Sequence, residues 1–573
     1  MGDRRRKTLP VAKTDKDIEA DTATRLTEPP PLFNIEDATD QFSFPNEEPV
    51  LISEDDGQPQ LNYLQLSADS HDAYLHRHTV GFDMPGAVHT IMTPKLKTNR
   101  QLDSKLIVVM VGLPARGKSY IVKKLRRYLN WLQYETKVFN VGNLRRVAEV
   151  SQQHEQSAKF FDPDNKDMKR IRDELALGVL EQSIDWLKQG GRVAIHDATN
   201  STIDRRKLLI ERLESEPEIK ALLLESVCTD KRVLERNFRL KLLGPDYKKK
   251  NPAEALADFR SRVANYEKAY QSVGEWEEEN DIQYCKLINV GKKVIAHNIS
   301  GYLSGQCIFY LMNFNLAERQ IFVTRHGESA DNLSGRIGGD APLSDLGRAF
   351  GRALEKFVKG RRISFALDIA QRKLQEEEDW KAYGLEPLDG DGTNNESHQS
   401  TEEKLKAKAA EISNSQFTIW TSMLKRSMET VHPFDPDEYD IKHIRFLNEI
   451  NSGTREGMTY EEIQRYHPEE FHSRQSNKLF YRYPGMGGES YIDVIHRLQP
   501  MIIELERMTQ SCLIVTHRVV MRIILGYLLD WTQDEMPHMM VPIHTVYELR
   551  PKPYGTDLIK WRYVPEKDAF EEF

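Results

Sequence analysis

The stretch Ile321-Phe322-Val323-Thr324-Arg325-His326-Gly327-Glu328 decides the reading of this chain, because an apolar, β-branched run stops abruptly at an Arg-His pair followed by glycine. Such a run is a buried strand, and in open α/β sheets ligands lie beyond the carboxyl ends of strands. Glycine after the histidine lets the backbone turn while another group comes close. A neutral imidazole placed there can attack phosphorus and carry the phosphoryl group covalently, dividing one hard hydrolysis into two easier steps. Arg325 would grip the phosphate oxygens, and the plain alternative for these four letters is a surface His-Gly turn with a solvated Arg and Glu. Two further runs argue against that alternative. Cys512-Leu513-Ile514-Val515-Thr516 ends in His517, and Phe417-Thr418-Ile419-Trp420-Thr421-Ser422 leads into Leu424-Lys425-Arg426. Core packing alone does not require three strands to end in His, His and Arg.

A second anion site is written upstream. Leu106-Ile107-Val108-Val109-Met110-Val111 reads as a buried strand, followed by Gly112-Leu113-Pro114-Ala115-Arg116-Gly117-Lys118-Ser119, a complete G-x-x-x-x-G-K-[ST] loop. The glycines let successive backbone N–H groups face phosphate oxygens, the lysine reaches the outer phosphates and the hydroxyl serves Mg²⁺. Ile121, Val122, Leu125, Leu129 and Leu132 recur at helical spacing directly afterwards, the context that a phosphate loop needs. Asp197, closing the run Val193-Ala194-Ile195-His196, is the second anchor for Mg²⁺ or for the accepting hydroxyl, with a helix N-cap as its structural alternative. Arg145, Arg172 and Arg205 are candidates to hold an anionic acceptor.

At 573 residues, two or three domains are expected, and the negative mean hydropathy points to polar tails or insertions diluting the cores. A net charge of −8 gives no general attraction to nucleic acid or acidic membranes. Four scattered cysteines without C-x-x-C spacing indicate neither a disulfide framework nor a zinc site. No apolar run reaches membrane-spanning length, so a cytoplasmic protein is expected. Residues 1–100, rich in charge and proline with Arg4-Arg5-Arg6 near the start, read as a largely disordered extension. A polar stretch at about 362–415, with Glu376-Glu377-Glu378 and Asp389-Gly390-Asp391-Gly392, reads as a surface insertion outside the core elements, before a strand from Gln416.

A phosphate-loop half followed by an Arg-His-Gly-Glu half resembles the 6-phosphofructo-2-kinase/fructose-2,6-bisphosphatase family. The resemblance rests on Gly112 to Lys118, Phe139-Asn140-Val141-Gly142, Asp197-Ala198-Thr199-Asn200, Glu225-Ser226-Val227-Cys228, Gly244-Pro245-Asp246-Tyr247, Arg325 to Glu328, Gly335-Arg336-Ile337-Gly338-Gly339-Asp340, Leu447-Asn448-Glu449-Ile450 and Thr459-Tyr460-Glu461-Glu462-Ile463. It implies an α/β fold: a P-loop kinase domain on a mainly parallel sheet over residues 101–316, fused to a phosphoglycerate-mutase-like histidine-phosphatase domain over 317–573. It implies synthesis and hydrolysis of fructose 2,6-bisphosphate, controlling glycolysis against gluconeogenesis. The alternative is a bisphosphatase whose kinase half is weak or inactive.

In the kinase half the resemblance implies that Gly112, Leu113, Pro114, Ala115, Arg116, Gly117, Lys118, Ser119, Tyr120 and Asn237 hold ATP, with Ser119 and Asp197 toward Mg²⁺. Lys118, Asp197 and Cys228 are its catalytic candidates; Arg145, Arg172, Thr199, Arg205, Lys241, Arg262 and Tyr266 would hold fructose 6-phosphate. Lys241 matches the family lysine only approximately, because Asn237 to Pro245 is one residue short. In the phosphatase half His326 becomes phosphohistidine and Glu449 protonates the leaving oxygen, while His517, Arg325 and Arg426 stabilise the phosphoryl oxygens. Asn332, Gly338, Tyr460, Arg474, Lys478, Arg482, Tyr491, Arg518 and Arg522 would bind substrate, and no cofactor is expected there. Arg518 departs from the family's usual Gln and adds a cation. Expected partners are ATP, fructose 6-phosphate and fructose 2,6-bisphosphate, not nucleic acid or membrane, with a homodimer and protein kinases acting on the tail as further candidates.

Overall fold

The computed structural model describes residues 105–152, 158–162, 164–242, 247, 251–382, 401–413, 415–552 and 555–573. The extension over 1–100 with its basic triplet, Gly244-Pro245-Asp246 and the run at 389–392 lie outside the described residues.

Two sheets organise the chain. The first has the order β2-β3-β1-β4-β5-β6, with β1 Lys105–Val111, β2 Thr136–Asn140, β3 Val193–Asp197, β4 Ile219–Val227, β5 Tyr284–Ile288 and β6 Lys293–His297. All neighbours are parallel except β5 and β6. Because β1 is covered on both faces, its apolar run does not alternate with polar residues. Leu106, Val108 and Met110 enter one core; Ile107, Val109 and Val111 enter the other, with Val179, Leu180 and Leu209. The helices used below are α1 Lys118–Trp131, α2 Val141–Gln152, α3 Lys166–Lys188, α4 Ile203–Glu214, α5 Lys231–Leu242, α6 Pro252–Lys268 and α7 Tyr302–Asn313.

The second sheet runs β13-β12-β11-β7-β10-β8-β9, with β7 Ile321–Arg325, β8 Thr418–Thr421, β9 Asp440–His443, β10 Cys512–Thr516, β11 Thr545–Lys552, β12 Gly555–Val564 and β13 Ala569–Glu572. Strands β7, β10, β8 and β9 are parallel, and β11 turns antiparallel against β7. Its helices include α8 Asp345–Ala382, α9 Thr401–Ser413, α10 Lys425–Val431, α11 Tyr460–Tyr466, α12 Pro468–Ser476, α13 Tyr491–Arg507 and α14 Arg518–Leu529.

The expected insertion needs correction. Helix α8 does not stop near residue 362 but continues to Ala382, with Phe365, Ala366, Ile369 and Ala370 buried. Small alanines at i and i+4 let α9 approach, and Ala409 seals that contact. The stretch is therefore partly an added helical layer, and the strand after it starts at Thr418.

Helix α1, whose first residue is the phosphate-loop lysine, also binds the second half of the chain. Lys124 Nζ donates to both carboxylate oxygens of Glu506 on α13, at 2.9 and 2.8 Å, and Arg127 Nη2 adds a third bond at 3.0 Å. Trp131 Nε1 reaches Ile523 O on α14 at 3.1 Å, and the hydroxyls of Tyr310 on α7 and Tyr527 on α14 lie 3.1 Å apart. The apolar core on this face is continuous from Leu106 to Ile514 and Val520.

Candidate active sites

The phosphate loop folds as its glycines require. Gly112 has φ 132°, and a Cβ there would sit 2.6 Å from Ser226 O. Gly117, at φ 87°, caps α1. Gly112 N donates to Thr199 O at 2.9 Å, which ties the loop to the Asp197-Ala198-Thr199-Asn200 turn. Asn200 fixes that turn from behind at φ 41°, donating from Nδ2 to Met110 O at 2.9 Å. Asn237 Nδ2 reaches Ala115 O at 2.9 Å, placing α5 over the loop. Lys118 Nζ folds back on Gly112 O and Leu113 O, both at 2.6 Å. Burial pushes its pKa down to about 7 against the opposing pull of Asp197.

Asp197, at the end of β3, is buried and accepts from Asn140 Nδ2 at 2.6 Å. Burial raises its carboxyl above the usual range, opposed by Lys118 and Asn140. A buried carboxyl facing the same cavity as the Ser119 hydroxyl is a pair of oxygen donors that fits a divalent cation.

These groups share one cavity of about 830 Å³. Arg145, Arg172, Thr199, Arg205, Arg262 and Tyr266 line it, as does Lys241, whose charge is felt by both Lys118 and Asp197. Pro114 to Tyr120 and Asn237 line it too. Cys228 stands on the wall with its thiol pushed up by burial, the opposite of what a nucleophilic thiolate needs. Other lining residues escaped sequence reasoning: Asn140, Phe160, Phe161 and Lys292, together with Pro551 and Lys552 from the far end of β11.

In the second half, strand register makes the site. Parallel β7 and β10 pair Arg325 with Thr516, so the next residues, His326 and His517, emerge side by side. Their ring centroids lie 5.0 Å apart at 51°, and His326 N donates to Thr516 O at 2.9 Å. Gly327 is required here, since a Cβ would meet Gly347 O at 2.5 Å. His326 Nδ1 lies 2.7 Å from Gly327 O, and Arg426 Nε donates to His326 Nε2 at 3.2 Å. This bonding assigns the proton to Nδ1 and the lone pair to Nε2. Burial, then the Arg426 and Arg325 charges, hold the imidazole well below its ordinary range, so it is neutral. His517 is likewise depressed, by burial first and His326 next, and its Nε2 lies 2.7 Å from Ser422 Oγ.

Cations crowd this pocket. Burial lowers Arg325 to about 10, with Arg518, Arg522 and Arg426 adding to the effect and Glu449 opposing it. The Glu449 carboxylate is set by backbone donors, Ile450 N at 2.9 Å and Val519 N at 3.2 Å, the latter at the start of α14. Arg474 Nη2 donates to Tyr460 OH at 3.0 Å, and Arg522 Nη1 to Tyr491 OH at 3.0 Å. Lys478 is pushed down to about 8 by burial and by Arg522, Arg474 and Arg518. Three candidates are engaged otherwise. Arg482 pairs with Asp493, Asn332 Oδ1 accepts from Ser329 N at 3.1 Å in a helix-capping box, and Gly338 makes a turn at φ 73° against Glu456. His544, which sequence reasoning missed, accepts from Glu328 N at 3.1 Å through Nε2 and holds the turn after His326.

Comparison with known proteins agrees with this layout. A family model described as 6-phosphofructo-2-kinase matches residues 94–318, and one for branch 1 of the histidine phosphatase superfamily matches 398–564. The second match starts after α8, and Arg325-His326 join it through the pairing of β7 with β10. A probable 6-phosphofructo-2-kinase of Schizosaccharomyces pombe is 46% identical over 477 residues, 82% of this chain and 71% of that one. 6-Phosphofructo-2-kinase 1 of Saccharomyces cerevisiae is 45% identical over 502 residues, 87% of this chain and 56% of that one. 6-Phosphofructo-2-kinase/fructose-2,6-bisphosphatase 3 of Homo sapiens is 38% identical over 469 residues, 82% of this chain and 78% of that one.

Proposed function

Because this chain belongs to the 6-phosphofructo-2-kinase/fructose-2,6-bisphosphatase family, we propose that both of its pockets turn over, making and hydrolysing fructose 2,6-bisphosphate. It is an enzyme of fructose 2,6-bisphosphate metabolism and carries both domains of that family. The observation that carries the reading is the pair of neutral imidazoles, His326 and His517, 5.0 Å apart beside Arg325 and Arg426.

In the kinase half the phosphate-loop backbone and Lys118 cradle the ATP phosphates, and the cations of the cavity wall hold fructose 6-phosphate. Ser119 and Asp197 would hold Mg²⁺, which supplies charge neutralisation to the transferring phosphoryl group when bound. Asp197 also orients the C2 hydroxyl as it attacks. Lys241 on the cavity wall supports an intact acceptor site despite the shortened segment before Pro245.

In the phosphatase half His326 Nε2 attacks the 2-phosphate, forming a P–N bond as the P–O2 bond breaks. Glu449 delivers a proton to the leaving oxygen, releasing fructose 6-phosphate. Water then attacks phosphohistidine with Glu449 as base, and inorganic phosphate leaves with the bonding pair of His326 restored. Arg325, Arg426 and His517 stabilise the charge on the equatorial oxygens.

Both rates measured on one preparation test the proposal. Fructose 2,6-bisphosphate should accumulate from MgATP and fructose 6-phosphate once His326→Ala removes its hydrolysis. No product from that variant would refute the kinase half; an unchanged bisphosphatase rate in it would refute the nucleophile.

A further inference from the structure

Resting on the phosphatase reading above, we infer that Ser422, backed by Ser427, is a positioning residue for His517: its hydroxyl donates to Nε2 of that ring and so fixes the ring proton on Nδ1, as a hydrogen-bond donor for a phosphoryl oxygen.

Ser422 follows the last residue of β8, and its backbone N–H donates to Val515 O on β10 at 3.4 Å, two residues before His517. Its Oγ lies 2.7 Å from His517 Nε2 and accepts from Leu424 N at 3.2 Å. Ser427, in the first turn of α10, brings a second hydroxyl to 3.4 Å from the same nitrogen. Ser422, Ser427 and His517 are each 0% exposed, so no bulk water is at hand to take a hydroxyl proton.

A serine hydroxyl carries one hydrogen, and here its direction decides the tautomer. Among the described residues neither hydroxyl meets another acceptor. A proton on Nε2 would leave both hydroxyl hydrogens unplaced and Nδ1 as a lone pair bonded to nothing in the chain. With the proton on Nδ1, Nε2 accepts from the serines and a single group is left over. That group is Nδ1–H, which has no hydrogen-bond partner among the described residues although the ring is wholly buried. A buried donor without a partner is rare and asks for one. An oxygen of a bound phosphoryl group supplies it, since the ring stands 5.0 Å from that of His326 and feels the charges of Arg426 and Arg325. Burial first, then His326 and those arginines, keeps the ring from taking a second proton. His326 also carries its proton on Nδ1, but bonds it to Gly327 O at 2.7 Å. The two imidazoles therefore share a tautomer and differ in which nitrogen is open, one offering a lone pair to phosphorus and the other a hydrogen to oxygen.

Nitrogen NMR on chain labelled only in histidine reads the tautomer directly, with the His517 signal assigned by its loss in His517→Asn. The wild-type ring should carry its proton on Nδ1. In the double variant Ser422→Ala/Ser427→Ala the Nε2 tautomer should appear, and single-turnover formation of phosphohistidine from fructose 2,6-bisphosphate should slow roughly 10²-fold, the scale for losing one donor to developing charge. KM should stay within about two-fold, because the donor acts on the transition state, and an unchanged kinase rate on the same chain reports that it is folded. Ser422→Thr in the Ser427→Ala background keeps the closer hydroxyl and should restore both tautomer and rate. A wild-type ring protonated on Nε2, or a double variant that keeps the Nδ1 tautomer or the wild-type single-turnover rate, would overturn the inference. If the double variant does not fold, the wild-type tautomer still decides. No phosphohistidine from the wild-type chain, with the tautomer as assigned, would instead overturn the phosphatase reading beneath it.

Discussion

Arg426 Nε donates to Nε2 of His326 at 3.2 Å, so the lone pair proposed to attack phosphorus is held in place by the guanidinium proposed to grip the phosphoryl oxygens. The same arginine is fixed from its other side by Gly339 O at 2.7 Å. Aim and charge are therefore set by one side chain. Arg426→Lys keeps the charge but loses the planar fork, and is expected to lower bisphosphatase kcat roughly 10²-fold or more. Single-turnover formation of acid-labile phosphohistidine is the measurement, and kinase activity should be unchanged.

The depressed histidines predict how the phosphatase responds to pH. With the His326 pKa well below the ordinary 6.5, the nucleophile stays neutral as pH falls through 6.5, so kcat should show no acid limb at that value. On the alkaline side burial and the neighbouring arginines push Lys478 down to about 8, so a cation should be lost from the proposed substrate pocket through that range. KM for fructose 2,6-bisphosphate should rise through that range, and Lys478→Met should abolish the alkaline rise.

Acid should also loosen the fold. His326 and His517 are depressed and His196 is lowered to about 4, whereas the unfolded chain takes up protons on these rings near pH 6.5. A depressed histidine contributes stability that is present above the unfolded value and is lost as pH falls toward the folded one. Thermal midpoints should accordingly decline from about pH 6.5 downward, and less steeply when His196 is replaced by Gln.

Lys118→Met should abolish kinase turnover while leaving the bisphosphatase rate within about two-fold of wild type, since the lysine hydrogen-bonds to carbonyls of its own loop. Nucleotide binding measured directly should weaken in parallel. Loss of bisphosphatase activity in this variant would contradict separate sites.

Glu506 anchors the joint between the halves. Burial alone would raise its carboxyl, but the Lys124 and Arg127 charges hold it down at about 2. Removing the anion leaves two cations without it, and breaking a buried pair costs about 3–5 kcal/mol. Glu506→Ala should lower the thermal midpoint and separate the two halves into distinct calorimetric transitions, whereas Glu504→Ala on the same helix should do neither.

Much of the architecture was legible because its signals are local. Strand, glycine-rich loop and amphipathic helix sit within thirty residues of one another between Lys105 and Trp131, and His326 and His517 each follow a buried run directly. What escaped depends on pairings distant in sequence. Asn140 reaches Asp197 only because β2 pairs with β3, and His544 reaches Glu328 only because β11 lies against β7. Phe161 looked like an ordinary apolar residue, and nothing nearby in sequence shows that it meets Arg262. The insertion misled because its charged surface hides a sparse alanine seam at Ala366, Ala370 and Ala409.

The joint at Lys124, Arg127 and Trp131 constrains how the two halves can be separated. Helix α1 cannot part from α13 and α14 without exposing the Lys124–Glu506 pair and the Trp131 indole, so a chain that sheds either half opens a core the two halves share. A change that silences one of the two proposed reactions can instead be confined to a single side chain, Lys118 or His326, and leave that shared core whole.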